Sequence, residues 1–241
     1  MQPNADQLLF AHVVDRPDEE VDLAVAALMV AELEYTNLDV AHYVEAIESL
    51  AEGIRSRLPS EASVKERVRR VSRTLFEDQG YRGNAEDYYD PRNSFLNQVL
   101  ERKTGIPISL AVLWMEIARR VGLVVGGLNF PGHFLVRVEV DDGFVIVDPF
   151  HGGLTVTIDE LNARLRAVLG PDAQLAAEHL VPADKRAIVS RMLGNLSAIY
   201  RRDNDVSRAI AVLERQLVLQ PKNLRLQTEL AELRRRVGVD S

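Results

Sequence analysis

The spacing of apolar residues changes once along this chain of 241 residues, and that change limits the folds it can adopt. Up to Gly122, apolar residues recur at the three- and four-residue spacing of helices that face a core. Over 123–147 they form short runs separated by turn residues, which is typical of β-strands. From Asp184 onward the helical spacing returns. This order predicts an α+β fold, with helices packed on an antiparallel sheet, followed by an all-α segment.

The expected elements can be placed roughly along the chain. Helices are predicted over two stretches of 18–58, over 62–77, from Asp90-Pro91 to Gly105, over 108–121 and over 158–168. Strands are predicted over 123–130, 134–140 and 144–147.

Charge and length divide the chain into two predicted domains, 1–180 and 184–241. Residues 184–241 carry 12 Lys and Arg against 7 Asp and Glu, whereas residues 1–183 carry 17 against 29. An acidic main domain repels phosphate backbones, so no nucleic-acid partner is expected. The longest apolar run, 23–31, is far shorter than the roughly 20 residues that span a bilayer. Because the start MQPNADQLLF shows no secretory signal, we expect a cytoplasmic protein without membrane partners.

The helical end of the chain fits one tetratricopeptide unit. If Pro221 closes the unit, the small and large apolar positions that precede it fall on Ala209 and Leu213, and the aromatic position falls on Tyr200. One unit cannot stand alone as a solenoid, so we expect this segment to dock on the main domain. Helical repeats bind peptides or helices, which predicts a protein or peptide partner for 184–241; the oligomeric state is left open.

The chain contains no cysteine, which excludes disulfides, thiolate metal sites and cysteine nucleophiles. Its five histidines include no pair at the i, i+4 spacing of a helical metal site, so neither a metal nor a cofactor is expected.

One histidine, His133, is predicted at a strand start, and Asp148 closes the next strand. A four-residue loop at 140–143 pairs Glu139 with Phe144 and makes Asp148 the diagonal neighbour of His133. A tight two-residue loop keeps one face but separates the two side chains, and a three-residue loop puts them on opposite faces. The sequence thus allows an aspartate-oriented imidazole.

Three segments in order resemble a bacterial transglutaminase-like family with a C-terminal tetratricopeptide segment, whose members are often described as regulators of sirC expression. They are DYYDPRNSFLNQVLERKTGIPISLAVLWMEIARRVGL (87–123), NFPGHFLVRV (129–138) and VDPFHGG (147–153). The resemblance implies a papain-like transglutaminase core, with a triad of cysteine at a helix start, histidine on a strand and aspartate on the next strand. By motif, the histidine is His133 and the aspartate is Asp148. The cysteine position is occupied by Pro107.

Proline offers no nucleophile, so thiol acyl transfer is excluded at that position. We therefore expect a non-catalytic binding or regulatory module that acts through protein–protein contacts and keeps His133 and Asp148 as a triad remnant. The alternative is a hydrolase or acyl transferase that uses Ser109 or a water activated by His133. Ser109 lies about 200° around the helix axis from position 107. A serine in a first helical turn more often satisfies free backbone N–H groups of the helix. A third hypothesis gives His133 a role in stability alone.

Polar and aromatic side chains precede this helix in the sequence, where they could line a cleft or cap helices. These candidate binding residues are Asn84, Tyr88, Tyr89, Asp90, Asn93 and Asn97.

Overall fold

The structure is a computed structural model that describes residues 5–238, so the predicted domain ends at 1 and 241 lie outside the described residues. The helices are α1 (Ala5–Val14), α2 (Leu23–Ala31), α3 (Val40–Arg55), α4 (Val64–Ser72), α5 (Leu96–Arg102), α6 (Pro107–Arg120), α7 (Ile158–Leu169), α8 (Lys185–Arg202), α9 (Val206–Leu219) and α10 (Leu224–Arg236). The strands are β1 (Arg82–Gly83), β2 (Thr104–Gly105), β3 (Val125–Leu128), β4 (Leu135–Val140), β5 (Gly143–Asp148) and β6 (Leu154–Val156).

Several boundaries differ from the sequence prediction. The acidic run after Pro17 forms a separate 3-10 turn, because Asp22 caps α2 through its side chain and starts the helix there. The helix predicted over 62–77 changes to a π-helical turn at Arg73–Asp78.

The segment predicted as one helix from Asp90-Pro91 to Gly105 forms a 3-10 turn at Pro91–Asn93, then α5 and β2. None of α1, β1, β2 and β6 was predicted from the sequence.

Helix α6 lies at the centre of the fold. Pro107 occupies its first turn, where proline is well tolerated, and every residue from Pro107 to Ala118 is buried. Its Trp114 Nε1 donates to Ser72 Oγ at 3.1 Å, and that hydroxyl donates to the Gly153 carbonyl at 3.0 Å. A single buried hydroxyl therefore joins α4, α6 and the segment before β6.

The main sheet is antiparallel with the order β3-β4-β5-β6. Glu139 pairs with Phe144, which is the register expected for a four-residue loop at 140–143. Val140 also pairs with Gly143, so the turn itself has only two residues, 141–142. One face carries Val136, Val138 and Val147 into the main core with α6. The other face forms a second cluster with α7, made of Leu128, Phe130, Leu135, Ile146, Leu161 and Leu165.

The C-terminal helices share the main core. Ile188, Met192 and Leu196 of α8 belong to the same hydrophobic cluster as α2 and α6, and Ala183 donates to the Gly127 carbonyl at the edge of β3. The tetratricopeptide positions Ala209, Leu213 and Tyr200 are all buried. The segment is thus docked on the main domain, whereas its assignment to the tetratricopeptide class stays a prediction.

Within the described residues, no helix combines the length and the apolar character needed to cross a membrane.

The shared core predicts cooperative unfolding. Replacing the fully buried Leu196 with alanine should lower the free energy of unfolding by about 2–5 kcal/mol, the cost of a core cavity. Urea titrations followed by circular dichroism and by fluorescence of Trp114, the only tryptophan, should shift together. Leu224→Ala, at a residue that is 75% exposed, is the control and should change stability by less than about 0.5 kcal/mol. An early helical transition that leaves Trp114 unaffected would contradict a shared core.

Candidate functional site

The candidate site is built around Asp148, whose side chain is only 1% exposed. Its Oδ1 accepts from His133 Nε2 at 2.9 Å and from the backbone N–H groups of Phe150 and His151 at 3.2 and 3.3 Å. Its Oδ2 accepts from His151 Nδ1 at 2.7 Å and from Arg164 Nη1 at 2.5 Å. Five donors therefore satisfy one buried carboxylate.

Local structure explains how these donors meet. The register of β4 and β5 brings Asp148 beside the segment that carries His133. Pro149 opens a 3-10 turn at Pro149–His151, and Asp148 caps it, which aims two N–H groups at the carboxylate. Helix α7 packs on the sheet face that carries Ile146, two residues before Asp148, so Arg164 can reach the carboxylate.

The charge state of the cluster follows from these contacts. Burial alone raises the pKa of Asp148, but the hydrogen bond and charge of His133, followed by the hydrogen bonds from Arg164 and His151, hold that pKa well below its usual range. Asp148 is therefore ionised and acts only as an acceptor. When the imidazole of His133 is neutral, its proton lies on Nε2, which donates to Asp148, and the lone pair lies on Nδ1.

Aromatic rings extend the site toward the C-terminal helices. Phe150 packs edge-on against His133 at 5.9 Å between ring centroids and against Tyr88 at 6.4 Å. Tyr88 contacts Tyr89 at 5.3 Å, and the guanidinium of Arg202 lies 4.3 Å from the Tyr89 ring. Both tyrosines are partly exposed, and burial of the ring raises the pKa of Tyr88. Of the six candidate binding residues, these two lie at the surface of the aromatic cluster.

The other four candidate binding residues are placed differently. Asn84 Nδ2 donates to Asn93 Oδ1 at 3.3 Å, and Asp90 forms an ion pair with Arg102 at 3.2 Å. Asp90, Asn93 and Asn97 are buried. Asn84, Asp90 and Asn93 thus brace the loop before α5 from inside, while Asn97 lies buried in α5.

The start of α6 holds both residues that bear on nucleophilic chemistry. Pro107 is its first residue and is buried. Ser109 is fully buried; its Oγ donates to the Asn93 carbonyl at 2.6 Å and accepts from the Ile106 N–H at 3.1 Å. This hydroxyl is engaged in holding the helix start against the preceding loop.

Helix α8 fixes the segment that carries His133. Arg191 Nη2 donates to the His133 carbonyl at 2.6 Å, and Nη1 donates to Asn129 Oδ1 at 3.1 Å. Burial lowers the pKa of Arg191.

Sequence reasoning missed Arg191 and Arg164. Both reach the site only because their helices pack against it, and no local sequence pattern predicts that packing. The sequence around His151 did contain a usable signal. His151 follows Asp148 by three residues, with Pro149 between them, which is compatible with a tight turn that brings the two side chains together.

His133, Asp148 and His151 are also the one group among residues 5–238 whose ligand atoms could meet on a metal ion, all within 4.8 Å. The i, i+4 search of the sequence did not cover this arrangement. Two imidazoles and a carboxylate suit a transition metal. However, the Arg164 guanidinium already neutralises Asp148, so a cation would have to compete with it. His133, His151 and Arg164 thus form a cluster of hydrogen bonds and ion pairs around Asp148.

Asp148→Asn should lower the free energy of unfolding at neutral pH by about 1.5–3 kcal/mol, since hydrogen bonds to a buried charge are lost. The folded-state pKa lies below the unfolded value of about 3.9, so this contribution is complete above that pH and is lost as the pH falls below it. Urea titrations from pH 7 to pH 3 should show the difference between the two proteins shrinking in acid. The exposed Asp172→Asn serves as control. A difference that grows in acid would contradict the stabilising role of the ionised form.

Comparisons with known proteins agree with this architecture. The family model of the transglutaminase-like superfamily matches residues 41–194. A UPF0162 protein of Xylella fastidiosa is 44% identical over 207 residues, covering 85% of this chain and 74% of the relative. A UPF0162 protein of Pseudomonas aeruginosa is 33% identical over 198 residues, covering 81% and 71%.

A more distant relative is human F-box only protein 21, which is 31% identical over 182 residues, covering 66% of this chain and 28% of the relative. No solved structure matches the chain significantly. The family match spans α3 to α7, the sheet, the cluster around Asp148 and the first half of α8. The chain therefore belongs to the transglutaminase-like superfamily.

Proposed function

We propose that this protein is a binding or regulatory module of transglutaminase-like fold that works without thiol catalysis. The observation that carries the proposal is the start of α6. The chain has no cysteine, Pro107 stands where the resemblance places the nucleophile, and the nearby Ser109 hydroxyl is buried in the helix cap. Neither residue can attack an acyl group there. The His133–Asp148 pair then serves to hold the strand ends together.

Protein–protein contact through the C-terminal helices is the second part of the proposal. A groove of about 580 Å³ opens between α8 and α10. Leu224 at its edge is 75% exposed, and Arg225 and Glu232 offer charges of both signs. An amphipathic helix or peptide that covers Leu224 would fit such a surface.

The same helices give a partner a route to the site. Arg191 of α8 contacts the carbonyl of His133, and Arg202 of α8 lies over the Tyr89 ring. A partner that shifts α8 would change the position of the loop that carries His133. This connection supports a regulatory role in which the C-terminal segment receives a partner.

Affinity capture with the full chain tests the partner surface. Leu224→Asp should lose proteins that the unmodified chain retains from bacterial extract, because a carboxylate would replace the exposed apolar contact. Val124→Asp, at a residue before β3 that is 69% exposed, is the matched control and should retain them. Equal capture by all three proteins would refute a partner site at Leu224.

A second candidate function rests on the imidazole. His133 Nδ1 has no hydrogen-bond partner within the part of the chain that the structure describes, and the His133 side chain is 14% exposed. A water bound there could be activated as a nucleophile, with Asp148 orienting the ring. This candidate predicts hydrolysis that depends on His133.

The binding-module proposal predicts neither labelling by a fluorophosphonate probe nor turnover of amide and ester substrates above that of His133→Ala. The buried, hydrogen-bonded Ser109 hydroxyl explains the lack of labelling. Mass spectrometry and a chromogenic ester assay provide the measurements. Labelling that disappears in Ser109→Ala, or turnover that disappears in His133→Ala, would favour the hydrolase instead.

A further inference from the structure

A second groove lies away from the C-terminal helices, between α4 and β6. Its volume is about 670 Å³. Apolar side chains line part of it, namely Val68 of α4, Val145 of β5 and Leu154 of β6, which is 66% exposed. The groove also borders Gly152, the residue after His151. It therefore offers an apolar surface beside the candidate site.

The charges around this groove are mainly positive. Lys65, Arg69 and Arg73 line it, and only Glu77 opposes them, 3.5 Å from Arg73. Residues 63–73 contain five basic residues and one acidic residue, Glu66. The Glu66 carboxylate caps its own helix by accepting from the backbone and hydroxyl of Ser63. This basic surface contrasts with the acidic balance of 17 against 29 over residues 1–183.

The strand at this groove is an open edge. β6 is the last strand of the sheet, and no hydrogen bond joins its outer side to another described strand. The opposite edge, β3, is covered by the Ala183 N–H, which donates to the Gly127 carbonyl at 2.8 Å. An uncovered edge offers backbone donors and acceptors to an incoming strand.

We propose that this groove binds an extended acidic peptide segment of a partner protein, which adds to β6 as a further strand. Alternate side chains of a strand point to opposite sides. Leu154 pairs with Asp148 and so lies on the α7 face of the sheet, whereas α4 lies on the opposite face. The apolar side chains of the peptide would then cover Leu154 on one face, while its carboxylates meet Arg69 and Lys65 on the other. Backbone pairing supplies affinity and the basic rim supplies selectivity. The proposal is independent of the partner surface at Leu224.

The probe is a fluorescein-labelled hexapeptide that alternates Asp or Glu with Val, and its matched control carries Lys at the acidic positions. Fluorescence anisotropy with the full chain should show saturable binding of the acidic peptide and none of the Lys peptide. Equal binding of both peptides would overturn the proposal.

Charge reversal locates the binding site. Arg69→Glu should weaken binding of the acidic peptide at least tenfold and should gain binding of the Lys peptide. Arg69 is exposed, so the variant should keep the circular dichroism spectrum of the unmodified protein. The control is Arg235→Glu on α10, which should leave both affinities unchanged. Equal weakening by the two variants would show unspecific charge attraction and refute the site.

Strand addition is tested on the peptide itself. N-methylation at alternate residues should abolish binding in one of its two registers, because the methyl groups remove donors that face β6. Unchanged affinity in both registers would overturn strand pairing. Binding of RNA or anionic vesicles that depends on Arg69 more strongly than peptide binding does would also overturn the assignment of the partner.

Discussion

The burial of α6 from Pro107 to Ala118 is the constraint on which the rest of the structure depends. Over these residues the helix needs protein on every side, and α2, α3, α4, the sheet and the turn after β5 surround it. Few polar groups can enter such a core without a partner. Trp114 finds one in Ser72, whose hydroxyl in turn fixes Gly153. The geometry around Asp148 and the groove at β6 therefore both rest on the packing of this helix.

The sequence predicted the elements whose side chains face one core. Strands β3 to β5 lie in short apolar runs bounded by turn residues, and α6 is the most apolar helix around them, so their order and the α+β class followed from the change of spacing. It could not predict β6, because only Val156 of its three residues is partly buried. The sequence also did not predict the π-helical turn after α4, because its hydrogen bonds depend on packing rather than on residue type.

The candidate site divides in a similar way. The positions of His133 and Asp148 followed from strand register, once the hairpin loop is known. Arg164 and Arg191 come from helices that are distant in sequence and meet the site only after docking. Ser109 is instructive because a hydroxyl in a first helical turn is compatible with capping and with catalysis. Its Oγ accepts from the Ile106 N–H, which shows the capping role. The hydroxyl also donates to the Asn93 carbonyl, a contact that no sequence pattern encodes.

The five hydrogen bonds to Asp148 also bear on how such a protein could evolve. Replacing a nucleophile at the start of α6 needs one substitution, and a helix tolerates proline at its first position. Loss of Asp148 would remove the hydrogen-bond acceptor of two histidines, an arginine and two backbone amides. Selection for stability alone would then be enough to preserve the histidine–aspartate pair in a protein of this fold. In this fold, persistence of the pair across a lineage records the cost of removing it and is no measure of enzymatic activity.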